Sequence, residues 1–251
     1  AQRRERFETF MRYNIIGLVI CHGMDPFPEC LEMAEKYDRN LFLVRKDTSE
    51  FMADLIAYVR DGTPLPEKPI ILSFDDGYYN NYVYVLPLLQ QYSARIVLSL
   101  LGRNTDDFTE WPSESIDYAH VTWDQLNEML ASGLVEVQNH SYDLHSYTPE
   151  RYGCLPNAGE SETDYAQLLR TDLQRLQDEL AEHTGRTPDT FAYPYGKYGD
   201  LTDTVLRDMG FQATLTCDWG VNHITRDPDC LIRISRTGSV WQKRNALRDI
   251  I

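Results

Sequence analysis

Short apolar runs alternate with helical patterns along most of this chain, and this alternation is the feature that most limits its possible folds. Eight runs have the length and composition of buried β-strands, and helical periodicity follows several of them. Strands that are followed by helices form parallel sheets, which are either open or closed into a barrel. We therefore expect an α/β fold. The expected strands cover residues 15–21, 41–44, 70–74, 95–101, 134–138, 190–193, 213–216 and 231–234.

The predicted helices have recognisable ends and faces. In the longest pattern, apolar residues from Tyr165 to Leu180 recur at three- and four-residue spacing, as in a helix that packs on a sheet. Thr122 and Gln125 form a capping-box pattern, and Gly133 and Gly185 stand where helices should end. The expected helices cover residues 48–60, 82–92, 122–132, 163–184 and 201–209.

Composition restricts the partners. A chain of 251 residues with 42% hydrophobic residues can form one large core, so we expect a single domain over residues 1–251. A net charge of −15 argues against nucleic acids and anionic membranes as partners. No apolar stretch approaches the roughly 20 residues of a membrane span. Residues 1–6 show neither an initiating methionine nor a signal peptide, so we expect that targeting information has been removed.

Two adjacent carboxylates, Asp75 and Asp76, follow the apolar strand that ends at Phe74. An Asp-Gly pair after a strand often forms a hairpin turn, and these residues alone would favour that interpretation. However, residues 78–89 offer no short alternating return strand and instead suit a helix. In such α/β units the working residues lie at the carboxyl ends of strands.

Polar residues also follow other predicted strands. Any one of them could be a structural residue, but together they indicate a site at one rim. Histidines five residues apart can share a metal only if a loop joins them, and His140 and His145 have this spacing. Two imidazoles and one carboxylate form an open zinc set, for which Asp76 is the natural third ligand. Asp75 is then free to take a proton from water. The other residues that follow predicted strands are His22, Asn139, Pro194, Tyr195, Gly196, Cys217, Asp218 and Trp219.

These motifs resemble those of the polysaccharide deacetylases with a NodB homology domain, carbohydrate esterase family 4, over about residues 15–236. Residues 73–77 (Ser-Phe-Asp-Asp-Gly) are similar to its first motif, and His140-Ser141 with His145 to its histidine motif. Residues 191–196 (Phe-Ala-Tyr-Pro-Tyr-Gly) resemble the third motif, and Asp218-Trp219 the fourth. The resemblance implies a distorted (β/α) barrel of seven or eight strands.

The resemblance also implies roles for individual residues. Asp75 would be the general base, and Asp76, His140 and His145 would hold one divalent metal ion, for which we expect zinc, with cobalt, nickel or iron as alternatives. The backbone N–H of Tyr195 would help to bind the oxyanion. Asp218 would belong to the catalytic set through the fourth motif.

Three departures from the family pattern matter. The five-residue histidine spacing resembles the poly-N-acetylglucosamine deacetylase branch. Ala192 occupies the position of the usual arginine that pairs with the base, and Leu231-Ile232-Arg233 stands where Leu-x-His would supply the general acid. Loss of an acid costs about 10²–10⁴ in rate. We expect His22 to replace it, because the same branch carries an acid histidine near its N-terminus, with His223 as the alternative.

The resemblance implies a metal-dependent hydrolase that removes N-acetyl groups from an N-acetylglucosamine-containing polysaccharide. The alternatives are an impaired glycan-binding relative that keeps the metal site and an O-acetyl esterase. We expect a monomer at the cell surface or outside the cell. Two long loops, residues 102–121 and 146–161, should select the substrate, and they hold aromatic residues such as Trp111 and Tyr147. The five cysteines form no CxxC pair, and we expect mainly buried free thiols.

Overall fold

The eight predicted strands are all present. The computed structural model describes residues 4, 7–8, 11, 17–20, 27–38, 40–43, 51–65, 71–149, 151–220, 222, 224 and 231–236. Each strand overlaps a predicted apolar run. Short apolar runs are expected for the strands of a parallel sheet that is covered on both faces. The strands are β1 (Gly17–Ile20), β2 (Asn40–Leu43), β3 (Ser73–Phe74), β4 (Ile96–Leu100), β5 (Val135–Asn139), β6 (Thr190–Ala192), β7 (Ala213–Leu215) and β8 (Ile232–Ile234).

Helices lie between most of these strands. The capping box of Thr122 and Gln125 is formed, and Gly133 and Gly185 have positive φ angles of 69° and 68° where helices end. One turn, Asn81–Val85, is π-helical and runs directly into the next helix. The α-helices are α1 (Pro28–Lys36), α2 (Phe51–Asp61), α3 (Leu86–Tyr92), α4 (Gly102–Glu110), α5 (Trp123–Ala131), α6 (Glu162–Thr184) and α7 (Asp200–Asp208).

Helix α4 corrects the expectation of a structureless loop over residues 102–121. Its sequence is polar and lacks the apolar stripe from which a helix is recognised. Tertiary contacts hold it instead: Asp106 accepts hydrogen bonds from Trp123 Nε1 at 2.9 Å and from the Tyr142 hydroxyl at 3.0 Å. Gly102 packs so closely on Tyr142 that a Cβ atom would lie 2.6 Å from its ring. Neighbouring side chains therefore determine this helix.

All strand pairs are parallel. Strands β3 to β8 form one six-stranded sheet in sequential order, and β1 and β2 form a separate pair. The α/β expectation is thus confirmed, while the described strands form a curled half-barrel of six rather than one ring of seven or eight. Sequential order without reversal is typical of barrels rather than of doubly wound sheets.

A contact between the two edges of the six-stranded sheet demonstrates the curl. In a flat sheet β3 and β8 would lie about 24 Å apart. Arg236 follows β8 and Asp75 follows β3, yet their side chains form hydrogen bonds of 2.7 Å. The sheet therefore bends until the carboxyl ends of its edge strands meet.

The core lies on both faces of this sheet. On one face Leu98 packs in a buried cluster that includes residues of α3, α5 and α6. On the other face Val97 packs with Met52 of α2 and with Ile232 of β8. No helix among the described residues is long and apolar enough to cross a membrane. The three cysteines in the described part are free, and Cys217 is exposed rather than buried as we expected.

Candidate active site

The Asp75–Asp76–Gly77 turn directs its two carboxylates to different partners. Asp76 and Gly77 both have left-handed backbone conformations, with φ angles of 72° and 75°. A Cβ atom on Gly77 would lie 2.6 Å from a methyl group of Leu100, so glycine suits both the conformation and the space. This turn sends Asp75 towards Arg236 and Asp76 towards the histidines.

Asp76, His140 and His145 converge on one point. Their candidate ligand atoms all lie within 4.8 Å of one another. Oδ1 of Asp76 is 3.3 Å from Nε2 of His140 and 3.5 Å from Nε2 of His145. This oxygen is buried and has no hydrogen-bond partner among the described residues. Since an unpaired buried carboxylate oxygen is costly, and three ligand atoms surround the same point, the residues fit a divalent cation.

A hydrogen bond fixes the orientation of His140. Its Nδ1 lies 2.7 Å from the carbonyl oxygen of Ala192, and a carbonyl can only accept a hydrogen bond. The proton is therefore assigned to Nδ1, which leaves the lone pair of Nε2 facing Asp76 and His145. Backbone hydrogen bonds of this kind typically orient metal-binding histidines.

The surroundings also set the protonation of the three side chains. Burial acts to raise the pKa of Asp76, but the imidazoles, that of His140 most strongly, outweigh it and lower the pKa. Burial opposes the charged form of His140, yet the neighbouring carboxylates raise its pKa overall. Burial and the charge of His140 lower the pKa of His145. These directions favour an ionised Asp76 and a neutral His145 near neutral pH, which are the forms that bind metals, and a bound cation would displace the Nε2 proton that the raised pKa of His140 favours.

Asp172 holds the loop between the two histidines, and sequence reasoning missed it. From α6, its carboxylate accepts the backbone N–H groups of Tyr142 and Asp143, each at 2.8 Å. The loop begins with Ser141 at a φ angle of 79°, whose N–H donates to the Asn139 side chain at 2.8 Å. The available signal was a carboxylate beside Leu173 on the apolar stripe of the longest helix.

Asp75 is paired with an arginine that the motif comparison did not identify. Arg236 Nη1 and Nη2 donate to the two carboxylate oxygens of Asp75 at 2.7 Å each, and its Nε donates to the Thr216 carbonyl at 2.6 Å. Ala192, where the family places an arginine, is fully buried in the core. An arginine at the end of β8 therefore provides the pairing that Ala192 cannot.

Tyr195 lies beside the metal ligands, whereas the carboxylate of Asp218 has another partner. Tyr195 has a φ angle of 58°, and its ring stacks on His145 with centroids 4.2 Å apart. The carboxylate of Asp218 accepts a hydrogen bond from the Tyr198 hydroxyl at 2.6 Å. The carbonyl of Asp218 accepts the N–H of Arg236 at 2.9 Å, so its contact with the Asp75 pair is through the backbone.

The predicted general acid cannot be placed, because His22 and His223 lie outside the described residues. Arg233, at the position of the family's acid, forms an ion pair with Asp203 and lies over the ring of Tyr198 at 4.3 Å. His120 is buried against Tyr78, with its Nε2 2.9 Å from Asn104 Nδ2, and burial lowers its pKa. Both residues thus have structural partners.

The fold and the site together define an α/β half-barrel with a candidate mononuclear metal centre at the carboxyl edge of its sheet. A family model for polysaccharide deacetylases matches residues 62–214, more than half of the chain. The chain therefore belongs to the polysaccharide deacetylase family. A second model, for the HPr serine kinase N terminus, matches residues 1–59, less than a quarter of the chain.

Similar proteins include enzymes named for poly-N-acetylglucosamine. The chain is 27% identical over 186 residues to the poly-beta-1,6-N-acetyl-D-glucosamine N-deacetylase of Escherichia coli (strain K12), a match that covers 64% of this chain and 27% of that protein. The chain thus spans only about a quarter of that relative.

Solved structures show the same fold over most of the chain. The BpsB deacetylase domain of Bordetella bronchiseptica is 27% identical with a TM-score of 0.60, and the match covers 87% of this chain and 94% of that one. A de-N-acetylase of Aggregatibacter actinomycetemcomitans, at 21% identity, has a TM-score of 0.64, with 94% of this chain and 99% of that one covered.

Proposed function

We propose that this chain is a metal-dependent hydrolase that removes N-acetyl groups from poly-N-acetylglucosamine or a related glycan and releases acetate. The observation that carries the proposal is the buried, unpaired oxygen of Asp76 between two histidine nitrogens, beside an aspartate that an arginine orients. The family and the names of the relatives support the substrate class.

Asp76, His140 and His145 would hold the cation, and zinc suits two imidazoles and one carboxylate. Once bound, such a cation lowers the pKa of a coordinated water from about 15.7 to about 7 and polarises a carbonyl group. Among the described residues, no fourth histidine, cysteine, aspartate or glutamate belongs to this group, which leaves room for a water or substrate ligand. The edge of the sheet at the carboxyl ends of its strands therefore combines a candidate metal site with an adjacent base.

The residues around the metal ligands have separate roles in the reaction. Asp75, which Arg236 holds in place, takes a proton from the attacking water while the water oxygen bonds to the acetyl carbon. The Tyr195 N–H donates to the developing oxyanion, a contribution of about 3–4 kcal/mol in comparable sites. The carbon–nitrogen bond then breaks, and an acid gives the leaving amine its proton. We assign the acid to His22, with His223 as the alternative. Asp218 supports Arg236 through its backbone carbonyl.

A catalytically impaired glycan-binding relative is the second candidate. It is favoured by Arg233, which occupies the family's acid position and is committed to Asp203 and Tyr198. In this case the chain would bind the glycan and the metal but release little acetate. An esterase that removes O-acetyl groups would need less help from an acid, since a sugar alkoxide leaves far more readily than an unprotonated nitrogen, which would depart as an amide anion.

One assay separates these candidates: acetate release from N-acetylglucosamine oligomers and from an O-acetylated glycan, before and after chelation and after metal restoration. We expect chelation to abolish release from the N-acetylated oligomers and zinc to restore it. Asp75→Asn should abolish turnover while leaving the bound zinc, measured by mass spectrometry, unchanged. Absence of release from any acetylated glycan would favour the binding protein, and activity that resists chelation would eliminate the metal mechanism.

The acid is tested separately. His22→Ala should remove turnover without lowering the zinc content, and His223→Ala provides the matched control. Near-normal turnover of His22→Ala together with loss in His223→Ala would reverse the assignment.

Organisation and location are also part of the proposal. Phe7 and Met11 pack in the same buried cluster as Leu98 of β4, which supports one domain over residues 1–251. We propose that the chain acts as a monomer outside the cell or at its surface, which suits an enzyme that acts on a polysaccharide. Sedimentation of the purified protein and fractionation of the source cells test these two statements.

A further inference from the structure

We propose that the hairpin carrying Tyr147 and Tyr152 forms a sugar-binding subsite beside the metal centre, where Tyr147 stacks on the pyranose ring next to the reacting unit. This inference rests on the proposed function for the identity of the ligand. The occupant is a neutral N-acetylated sugar unit of the same glycan chain. Tyr147 would therefore be a specificity-determining residue for glycan length.

A continuous series of aromatic rings leads from the metal ligands to this tyrosine. His145 stacks on Tyr195 at 4.2 Å between ring centroids, and Tyr195 contacts Tyr152 at 5.2 Å. Tyr152 in turn contacts Tyr147 edge-on at 4.8 Å. Tyr147 also contacts Tyr195 edge-on, at 6.4 Å between ring centroids, so it belongs to an aromatic surface that begins at a metal ligand and spans the length of a short sugar chain.

The hairpin is held in place by its own hydrogen bonds. Tyr147 and Tyr152 form an antiparallel bridge, and Thr148 N–H donates to the Arg151 carbonyl at 2.8 Å. Arg151 also pairs with Glu160 at 2.7 Å, with both side chains nearly buried. These contacts fix the backbone that carries Tyr147 before any ligand arrives.

A second contact fixes the hairpin against the active site. Gly153 N–H donates to the Ser146 carbonyl at 2.9 Å, and a Cβ atom on Gly153 would lie 2.8 Å from the carbonyl oxygen of Pro194. The hairpin thus touches Pro194, which lies in the same short 3-10 turn as Tyr195. Its position relative to the metal centre is set by packing, which is what a binding subsite requires.

Tyr147 is nevertheless the most exposed large hydrophobic side chain in the described residues, at 75%. Lys197 Nζ lies over the ring of Tyr152, 5.3 Å from its centroid, and so covers one face of that ring. Of the two tyrosines, Tyr147 therefore has the ring that is more open to a ligand. An exposed aromatic ring beside a polar site, on backbone that hydrogen bonds hold in place, is typical of a binding surface. A pyranose ring offers a face of C–H groups to such a ring, while its hydroxyl groups remain in water.

The test compares Tyr147→Leu, Tyr147→Phe and, as a matched control, Tyr84→Leu, which removes a tyrosine of 53% exposure from the π-helical turn. The substrates are single N-acetylglucosamine, which has no ring next to the reacting unit, and its β-1,6-linked pentamer. We expect Tyr147→Leu to raise KM for the pentamer about tenfold with little change in kcat or in the KM for the single sugar. Tyr147→Phe should stay within about twofold of the unmodified chain, as should Tyr84→Leu.

Equal pentamer KM values for Tyr147→Leu and Tyr84→Leu would overturn the subsite, as would an equal loss on the single sugar and the pentamer. Calorimetric binding of the pentamer to the chelated protein keeps the two proposals distinguishable. If the unmodified chain releases no acetate but binds the pentamer about tenfold more tightly than Tyr147→Leu, the subsite stands and the proposed activity fails. If the two proteins bind the pentamer equally, the subsite is refuted whatever the activity.

Discussion

Two hydrogen bonds from Arg236 to Asp75 link the end of β8 to the end of β3, and we call this pair of bonds the fork. Substituting Arg236 by lysine tests whether the fork orients the base. Arg236 donates two hydrogen bonds of 2.7 Å to Asp75, and a lysine can replace at most one of them. Lysine keeps the positive charge, so the substitution removes the bidentate geometry rather than the charge. The Nε contact of Arg236 with the Thr216 carbonyl, which fixes the guanidinium plane, is lost as well.

The magnitude follows from burial. The side chains of Arg236 and Asp75 are 18% and 25% exposed, so solvent screens the pair only partly. A hydrogen bond to a charged group contributes about 1.5–3 kcal/mol. We expect a coupling free energy of about 2 kcal/mol between the two side chains. Because a displaced base costs up to about 10² in rate, kcat/KM of Arg236→Lys should fall about 10- to 100-fold.

The assay is a double-mutant cycle in urea with Arg236→Lys, Asp75→Asn and the combined variant, together with acetate release and zinc content. Arg170→Lys and Asp208→Asn form the control cycle, because this pair is 39% and 55% exposed and should couple by less than about 1 kcal/mol. If the Arg236–Asp75 coupling is no larger than that of the control, or if Arg236→Lys retains full activity, the fork does not orient the base.

Three further predictions concern pH, metal and backbone. Burial raises the pKa of Asp172 from its ordinary value of 3.8 to about 6, so its contribution to stability is complete below about pH 4 and is lost as the pH rises through 6. Between pH 4 and 7 the unmodified chain should lose on the order of 2–3 kcal/mol relative to Asp172→Asn, and parallel urea profiles would contradict this. Zinc should raise the melting temperature of the unmodified chain but not of Asp76→Asn or His145→Ala in calorimetry, and an equal rise in all three would place the metal elsewhere. Gly196→Ala should lower the free energy of unfolding by about 2–4 kcal/mol, because a Cβ atom there would lie 2.7 Å from the backbone nitrogen of Cys217. Gly133→Ala, at a similar φ angle but with open space around the Cβ atom, should lower it by only about 1–2 kcal/mol. Equal losses for the two variants in urea unfolding would refute the steric argument.

Some parts of the fold could be predicted because they depend on local pattern. The eight strands appear where short apolar runs lie between turn residues, and the long helix α6 buries the predicted stripe of Tyr165, Leu169, Leu173, Leu176 and Leu180. Helix α4 could not be predicted, since Phe108 is the one large apolar residue in its sequence and its partners Trp123 and Tyr142 lie outside it.

The candidate site divides in the same way. The sequence by itself determined which residue types follow the strands, and therefore that Asp76, His140 and His145 share one edge of a parallel sheet. Their convergence follows from strand order, because the carboxyl ends of parallel strands meet at the same edge.

Only the tertiary structure decided how the base is held and how the histidine loop is fixed. Arg236 lies 161 positions from Asp75 and reaches it because the sheet curls until its edge strands approach. Asp172 reaches the loop from α6, about 30 positions away, through backbone N–H groups that carry no sequence signature. Local patterns determine which elements form, whereas contacts between distant elements depend on sheet curvature and helix placement, which no short stretch of sequence contains.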